Sequence, residues 1–154
     1  MTDIKLVYRN IEGATDLGII DISPDGAGLE VDDGLETAVI ISLFSDRRAN
    51  DDDELPSGDD RRGWWADTYA DVDGDKIGSR LWLLGREKQL PGVVGKAKEY
   101  AEEALKWLVD DGIAEKVSVA AEIVQKGMLG LSAEIKRPGV APVKYRFNYV
   151  WEAM

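Results

Sequence analysis

The chain has 154 residues, 44% hydrophobic and 32% charged, and its 30 acidic side chains against 19 basic ones give a net charge of −11. That length and balance suit one globular domain with a real core, while the acidity repels phosphate backbones and argues against nucleic acid as a partner. Cysteine and histidine are absent, which excludes disulfides, thiolate metal sites and any Ser-His or Cys-His catalytic arrangement built by this chain alone.

The first residues, Met1-Thr2-Asp3-Ile4-Lys5, lack the apolar core of a signal peptide. No apolar run approaches the roughly 20 residues of a membrane span, so a soluble protein made in a cytoplasm, with no membrane partner, is expected. Alternation over residues 4–8 predicts a short strand, and Leu17 to Ile22 is a second β-prone run. The two are expected to pair as a hairpin, and Ser23-Pro24-Asp25-Gly26 reads as a turn because Pro presets φ and Gly accepts positive φ.

A helix is predicted from Asp33 to Asp46. Asp33 stands as N-cap with Glu36 three residues on, the spacing of a capping box. Leu35, Val39, Ile40, Leu43 and Phe44 fall on one face, and Arg47 and Arg48 follow near the negative end of the dipole. Residues 50–60 read as an exposed polar loop, from the run Asp51-Asp52-Asp53-Glu54 and the neighbouring Pro56 and Gly58. Clustered carboxylates suit a hard cation, yet adjacent acids in a flexible run are poorly preorganised, so a solvated loop is the favoured reading. Asp71-Val72-Asp73-Gly74-Asp75 begins like a calcium loop, but Lys76 and Trp82 stand where that motif requires Gly and Glu. Residues 66–77 are therefore taken as a second exposed polar loop, with no metal and no cofactor implied.

The stretch Arg61–Arg86 concentrates three of the five tryptophans. Within it, Gly78-Ser79 makes a break and a cap, Arg80 to Leu84 a short helix apolar nearly all round, and Gly85 a stop. Trp and Arg are the residues most enriched at interface hot spots. Arg61, Arg62, Trp64, Trp65, Arg80, Trp82 and Arg86 are accordingly the candidate interface residues. The competing reading puts Trp82 and one of Trp64 or Trp65 in the core.

A long helix is predicted from Val93 to Asp111, with an apolar stripe through Val93, Ala97, Tyr100, Ala101, Ala104, Leu105 and Leu108. Glu102 and Lys106 are spaced for an ion pair, and Gly112 for the C-terminal cap. Period-two alternation then runs through Val117–Ile123, Leu129–Ile135 and Val143–Trp151, broken by Lys126-Gly127 and Arg137-Pro138-Gly139. That pattern predicts an antiparallel meander with one buried face. The fold class is therefore α+β: a three-stranded sheet, open to extension by the N-terminal strands, packed against two main helices and a short one in a single domain over residues 1–154. Tyr149 and Trp151 join the interface candidates, because a last strand at a sheet edge can accept a partner's strand.

Four segments carry a family resemblance: Asp33–Ala49 (DGLETAVIISLFSDRRA), Arg62–Asp67 (RGWWAD), Gly78–Leu84 (GSRLWLL) and Lys96–Leu108 (KAKEYAEEALKWL). In order and spacing they resemble the small baseplate proteins of Mu-like contractile-tailed bacteriophages and prophages, over most of the chain. The resemblance implies a structural part of the tail, akin to the wider group of wedge and sheath-initiator proteins, α+β in fold and long labelled lysozyme-like. It implies other baseplate, tube or sheath proteins as partners and the virion tail baseplate as location, after synthesis in the bacterial host cytoplasm. Self-association of the isolated protein stays open. It also implies a role for the final strand, since sheath subunits of such tails join by exchanged strands. In the wider group an acidic residue and an arginine follow a glycine at the central turn. Here Trp64 and Trp65 follow Gly63, while Gly78 and the short helix are kept.

The rival function is a peptidoglycan-cleaving muramidase. It needs two carboxylates flanking a sugar cleft, for which Asp67 and Glu87 are the candidates, with Trp64 or Trp65 as sugar platforms. Nothing in the sequence pairs those acids, so a structural, non-enzymatic protein is the preferred reading.

Overall fold

A computed structural model describes residues 34–86 and 90–150, together with the strand segments 3–4, 6–9, 19–22 and 31–32; side chains are described over 34–85 and 91–148. Near the N-terminus, β1 (Asp3–Ile4) pairs antiparallel with β4 (Val31–Asp32), and β2 (Leu6–Arg9) with β3 (Ile19–Ile22). The hairpin expected from the two β-prone runs is thus present, with Leu6 opposite Ile22 and Arg9 opposite Ile19. The turn assigned to Ser23–Gly26 lies outside the described residues. Among the described residues these ladders form two separate two-stranded sheets, and the extension of the C-terminal sheet by N-terminal strands, left open from the sequence, is not seen there.

Helix α1 spans Leu35–Phe44. Its N-cap position is Gly34, at φ +82°, while Asp33 of the capping box read from Asp33 and Glu36 lies outside the described residues. The sequence reading gave α1 one apolar face, but the helix is apolar nearly all round. Leu35, Val39, Ile40 and Leu43 are buried, and Ala38 and Ile41, on another side, are half-buried. Such a helix has to be covered on more than one face.

Helix α2 spans Leu90–Leu105, taking Pro91 into its first turn, where a missing N–H costs no helical bond. After a turn at Lys106 the short α3 follows, Trp107–Asp110, so the single helix predicted to Asp111 is broken once. Its apolar stripe is buried throughout, from Val93 through Leu108. The predicted Glu102–Lys106 pair does not form: Lys98 meets Glu102, and Lys106 meets Asp110.

Strands β5 (Lys116–Gln125), β6 (Met128–Lys136) and β7 (Val143–Val150) make the expected meander, in the order β5-β6-β7. Val119 faces Ala133, and Leu131 faces Phe147, so the alternating apolar residues share one face. Helix α2 packs against β5 and α1, and the Phe44 ring meets Phe147 edge-on at 5.3 Å, joining both helices and the sheet in one core. On the opposite face Arg146 reaches across the sheet to Ser132 of β6 and Glu122 of β5. Its guanidinium lies where a side chain on Gly130 would stand: a Cβ there would sit 2.8 Å from Nη2.

Candidate assembly interface

The Arg61–Arg86 stretch is built onto the exit of α1. Backbone bonds run from Arg47 N–H to Ser79 O and from Ser79 N–H to Ser45 O, each 2.9 Å, and from Ala49 N–H to Arg61 O, also 2.9 Å. Two glycines allow so close an approach. Gly78, at φ +91°, has the Ser45 carbonyl where a Cβ would be, and a Cβ on Gly63, at φ +103°, would stand 2.6 Å from Arg48 Cβ. The buried Ser79 hydroxyl donates to Leu43 O and accepts the Leu81 amide at 3.3 Å, opening a 3₁₀ helix over Leu81–Arg86. That helix runs through Gly85, which was expected to stop it.

Half of the stretch turns inward. Trp82 is 8% exposed and its Nε1 donates to Arg47 O at 2.8 Å. Arg80 holds a forked pair of carboxylates: Nε to Glu103 at 2.9 Å, and Nη1 to both Asp53 oxygens at 2.9 and 3.0 Å. Its guanidinium also lies 4.6 Å from the Tyr100 ring centroid. Burial alone pulls the Arg80 pKa down, but the hydrogen bonds and charges of Glu103 and Asp53 outweigh it and hold it above the ordinary value. Arg80 therefore clamps residues 50–54 onto α2. Arg61 donates to the carbonyls of Asn50 and Asp51. Arg62, at φ +50°, lies 4.5 Å over the Trp82 ring and pairs with Asp46 at 2.8 Å.

The other half turns outward. A 3₁₀ helix over Trp65–Tyr69 occupies the start of what the sequence suggested was a polar loop. It displays Trp64, Trp65 and Tyr69 at 51%, 73% and 79% exposure. Their rings form a chain, with centroids 6.0 Å apart for Trp64–Trp65 and 6.2 Å for Trp65–Tyr69. Beneath them a groove of about 650 Å³ is floored by Ala38 and Ile41 of α1, with Trp107 at one wall. A smaller hollow of about 400 Å³ opens between Trp64, Phe44 and Gly63, leaving the Trp64 indole as a ridge between the two. The groove also contains Asp67, whose Oδ1 accepts the Ile77 amide at 3.2 Å while Oδ2 is shielded from solvent without a partner.

A family model described as phage protein GP46 matches residues 35–141, from the first residue of α1 to just before β7. This chain belongs to the GP46 family of phage proteins. It is 46% identical to the baseplate protein gp46 of Escherichia phage Mu over 149 residues, 96% of each chain. It is 39% identical to the Mu-like prophage FluMu protein gp46 of Haemophilus influenzae over 151 residues, 98% of each chain. The resemblance read from the four segments is that of this family.

In this family member the nine sequence candidates separate. Arg61, Arg62, Arg80 and Trp82 are engaged within the chain, whereas Trp64 and Trp65 both face outward; the reading that put one of those two in the core does not hold. Arg86 ends the second 3₁₀ helix and Tyr149 lies in β7; the side chains of both, and the whole of Trp151 and Glu87, lie outside the described residues, so the Asp67–Glu87 pair is not described. Sequence reading missed Tyr69, Ile77 and Trp107. Trp107 Nε1 donates to Ser42 Oγ at 3.0 Å, bringing α3 against α1 at the groove wall. The signal was available in the all-round apolarity of α1, which demanded a second cover. Among the described residues no group of three or more His, Cys, Asp or Glu is placed to hold a metal ion, and no helix is long and apolar enough to cross a membrane.

Proposed function

We propose that this chain is a structural component of a contractile phage or prophage tail baseplate, acting by protein–protein contacts in the manner of a wedge or sheath-initiator protein. The observation that carries the reading is the outward chain of Trp64, Trp65 and Tyr69, set on a rigid, internally clamped base. Large exposed aromatic rings beside an apolar groove are costly to leave in water and mark a docking surface. The family membership and the name of the Mu relative supply the setting, the virion tail baseplate, with other baseplate, tube or sheath proteins as neighbours. The inward Arg80 and Trp82 support this surface from behind, so their part is to position it. Strand addition to β7, which lies at an edge of the described sheet, offers a second mode of docking.

The test is to replace Trp64 and Trp65 together by Ala and to follow tail production by electron microscopy. The variant is expected to fold normally and to be missing from tails, which stay incomplete. Complete, infectious tails containing the variant would remove this surface from assembly.

A further inference from the structure

The exposed rings stand on a helix that has little to hold it. The 3₁₀ helix Trp65–Tyr69 has no buried residue, and so short a run does not stay folded in water by its own bonds. Those bonds are local: Asp67 N–H donates to Trp64 O at 3.2 Å, and the Thr68 hydroxyl to Trp65 O at 2.8 Å. Among the described residues, one hydrogen bond ties residues 64–69 to another part of the chain. It runs from the Ile77 amide to Asp67 Oδ1, at 3.2 Å. Ile77 is itself held in place. It is half-buried and lines both hollows beside Trp64. It also leads into Gly78, which lies against the Ser45 carbonyl, and Ser79, whose backbone bonds to Ser45 and Arg47.

The direction of the rings follows from that bond. At three residues per turn, the Asp67 side chain leaves the helix opposite the midpoint between Trp65 and Tyr69. Fixing Asp67 on the inner side therefore turns both rings outward. The arrangement has a cost, because Asp67 Oδ2 is shielded from solvent and has no hydrogen-bond partner. We propose that Asp67 is a positioning residue of the docking face: through the Ile77 amide it orders Trp64, Trp65 and Tyr69 before a partner arrives. Side chains ordered in advance remove part of the entropy cost of association. This deepens the docking reading above and rests on it.

Two linked experiments separate the proposal from that reading. In the first, NMR of the full chain follows indole N–H relaxation of Trp64 and Trp65 and hydrogen exchange of the Ile77 amide. In the wild type the amide is expected to be protected and both indoles ordered. Asp67→Ala should lose the protection and free both indoles without a fall in melting temperature, since the lost hydrogen bond is offset by release of the shielded oxygen. Asp67→Asn keeps an oxygen for the Ile77 amide and should restore the order of the indoles. Indoles as ordered in Asp67→Ala as in the wild type overturn the proposal. A fall of several degrees in the melting temperature of Asp67→Ala also overturns it, because Asp67 then supports the fold at large. Should the variants fail to fold, the wild type decides alone: an unprotected Ile77 amide overturns the proposal. In the second experiment, each variant is coexpressed in equal amount with the wild type and its share of assembled tails is measured. Asp67→Ala is expected to enter tails about tenfold less often, the scale of ordering two or three aromatic side chains on binding. That deficit, together with exclusion of the paired Trp64→Ala and Trp65→Ala variant, supports the proposal. Exclusion of the paired variant with undiminished entry of Asp67→Ala leaves the docking surface standing and removes Asp67 from it, whereas undiminished entry of both removes the docking surface itself.

Discussion

Two tryptophans in one stretch of sequence carry opposite roles, and the structure separates them by what each indole nitrogen touches. Trp82 donates to Arg47 O from within the core, so Trp82→Ala should cost about 3–5 kcal/mol, the range for emptying an aromatic site. Trp65 stands in solvent, and Trp65→Ala should leave folding stability within about 0.5 kcal/mol. Thermal or denaturant melts of the two variants check both. Arg80→Ala would leave Asp53 and Glu103 without their shared cation and is expected to lose about 2 kcal/mol, with earlier proteolysis in residues 50–60 as the local readout. Tyr100 adds a dependence on pH. Its burial holds the phenol pKa above the ordinary value, a shift the Arg80 charge only partly offsets. With the folded value raised, its contribution is complete below about pH 10 and is lost as pH rises toward the folded value. Denaturant midpoints taken at about pH 9 and about pH 11 should therefore fall more for the wild type than for Tyr100→Phe.

Elements whose burial is decided by their own periodicity were legible in the sequence. The three C-terminal strands appear with the predicted alternation, and the α2 stripe is buried residue by residue, because period two and period 3.6 each leave only one face for the core. Boundaries were less legible. Helix α1 starts at Leu35 and ends at Phe44, short of the predicted Asp46, and the predicted helix to Asp111 breaks at Lys106, where Trp107 turns toward Ser42 of α1. That is a tertiary contact no local pattern encodes. The division of Arg61–Arg86 into inward and outward halves was illegible for the same reason: it depends on Gly63 and Gly78 lying against Arg48 and Ser45 at the exit of α1, 15 and 33 residues earlier in the chain. Gly78→Ala tests that dependence. It combines a positive φ with a backbone collision, and a loss of about 2 kcal/mol or more is expected, read as a fall in melting temperature of several degrees.

The whole molecule combines a net charge of −11 with a small aromatic face, and that combination sets how it can bind. Like-charged copies repel at long range, which works against self-association and toward neighbours that present basic, apolar surfaces. Such steering is screened by salt, so association with a baseplate neighbour should slow markedly as ionic strength rises, while the aromatic contact governs how long the complex lasts. Stopped-flow binding over a salt series, with tryptophan fluorescence as the signal, checks that split. The central claim is that the face of Trp64, Trp65 and Tyr69 is covered in the assembled tail. A cryo-EM map of the intact tail tests it most directly. The Trp65 indole is expected to pack against a different tail protein there, and a map in which Trp65 and Tyr69 remain open to solvent would rule out such a docking face.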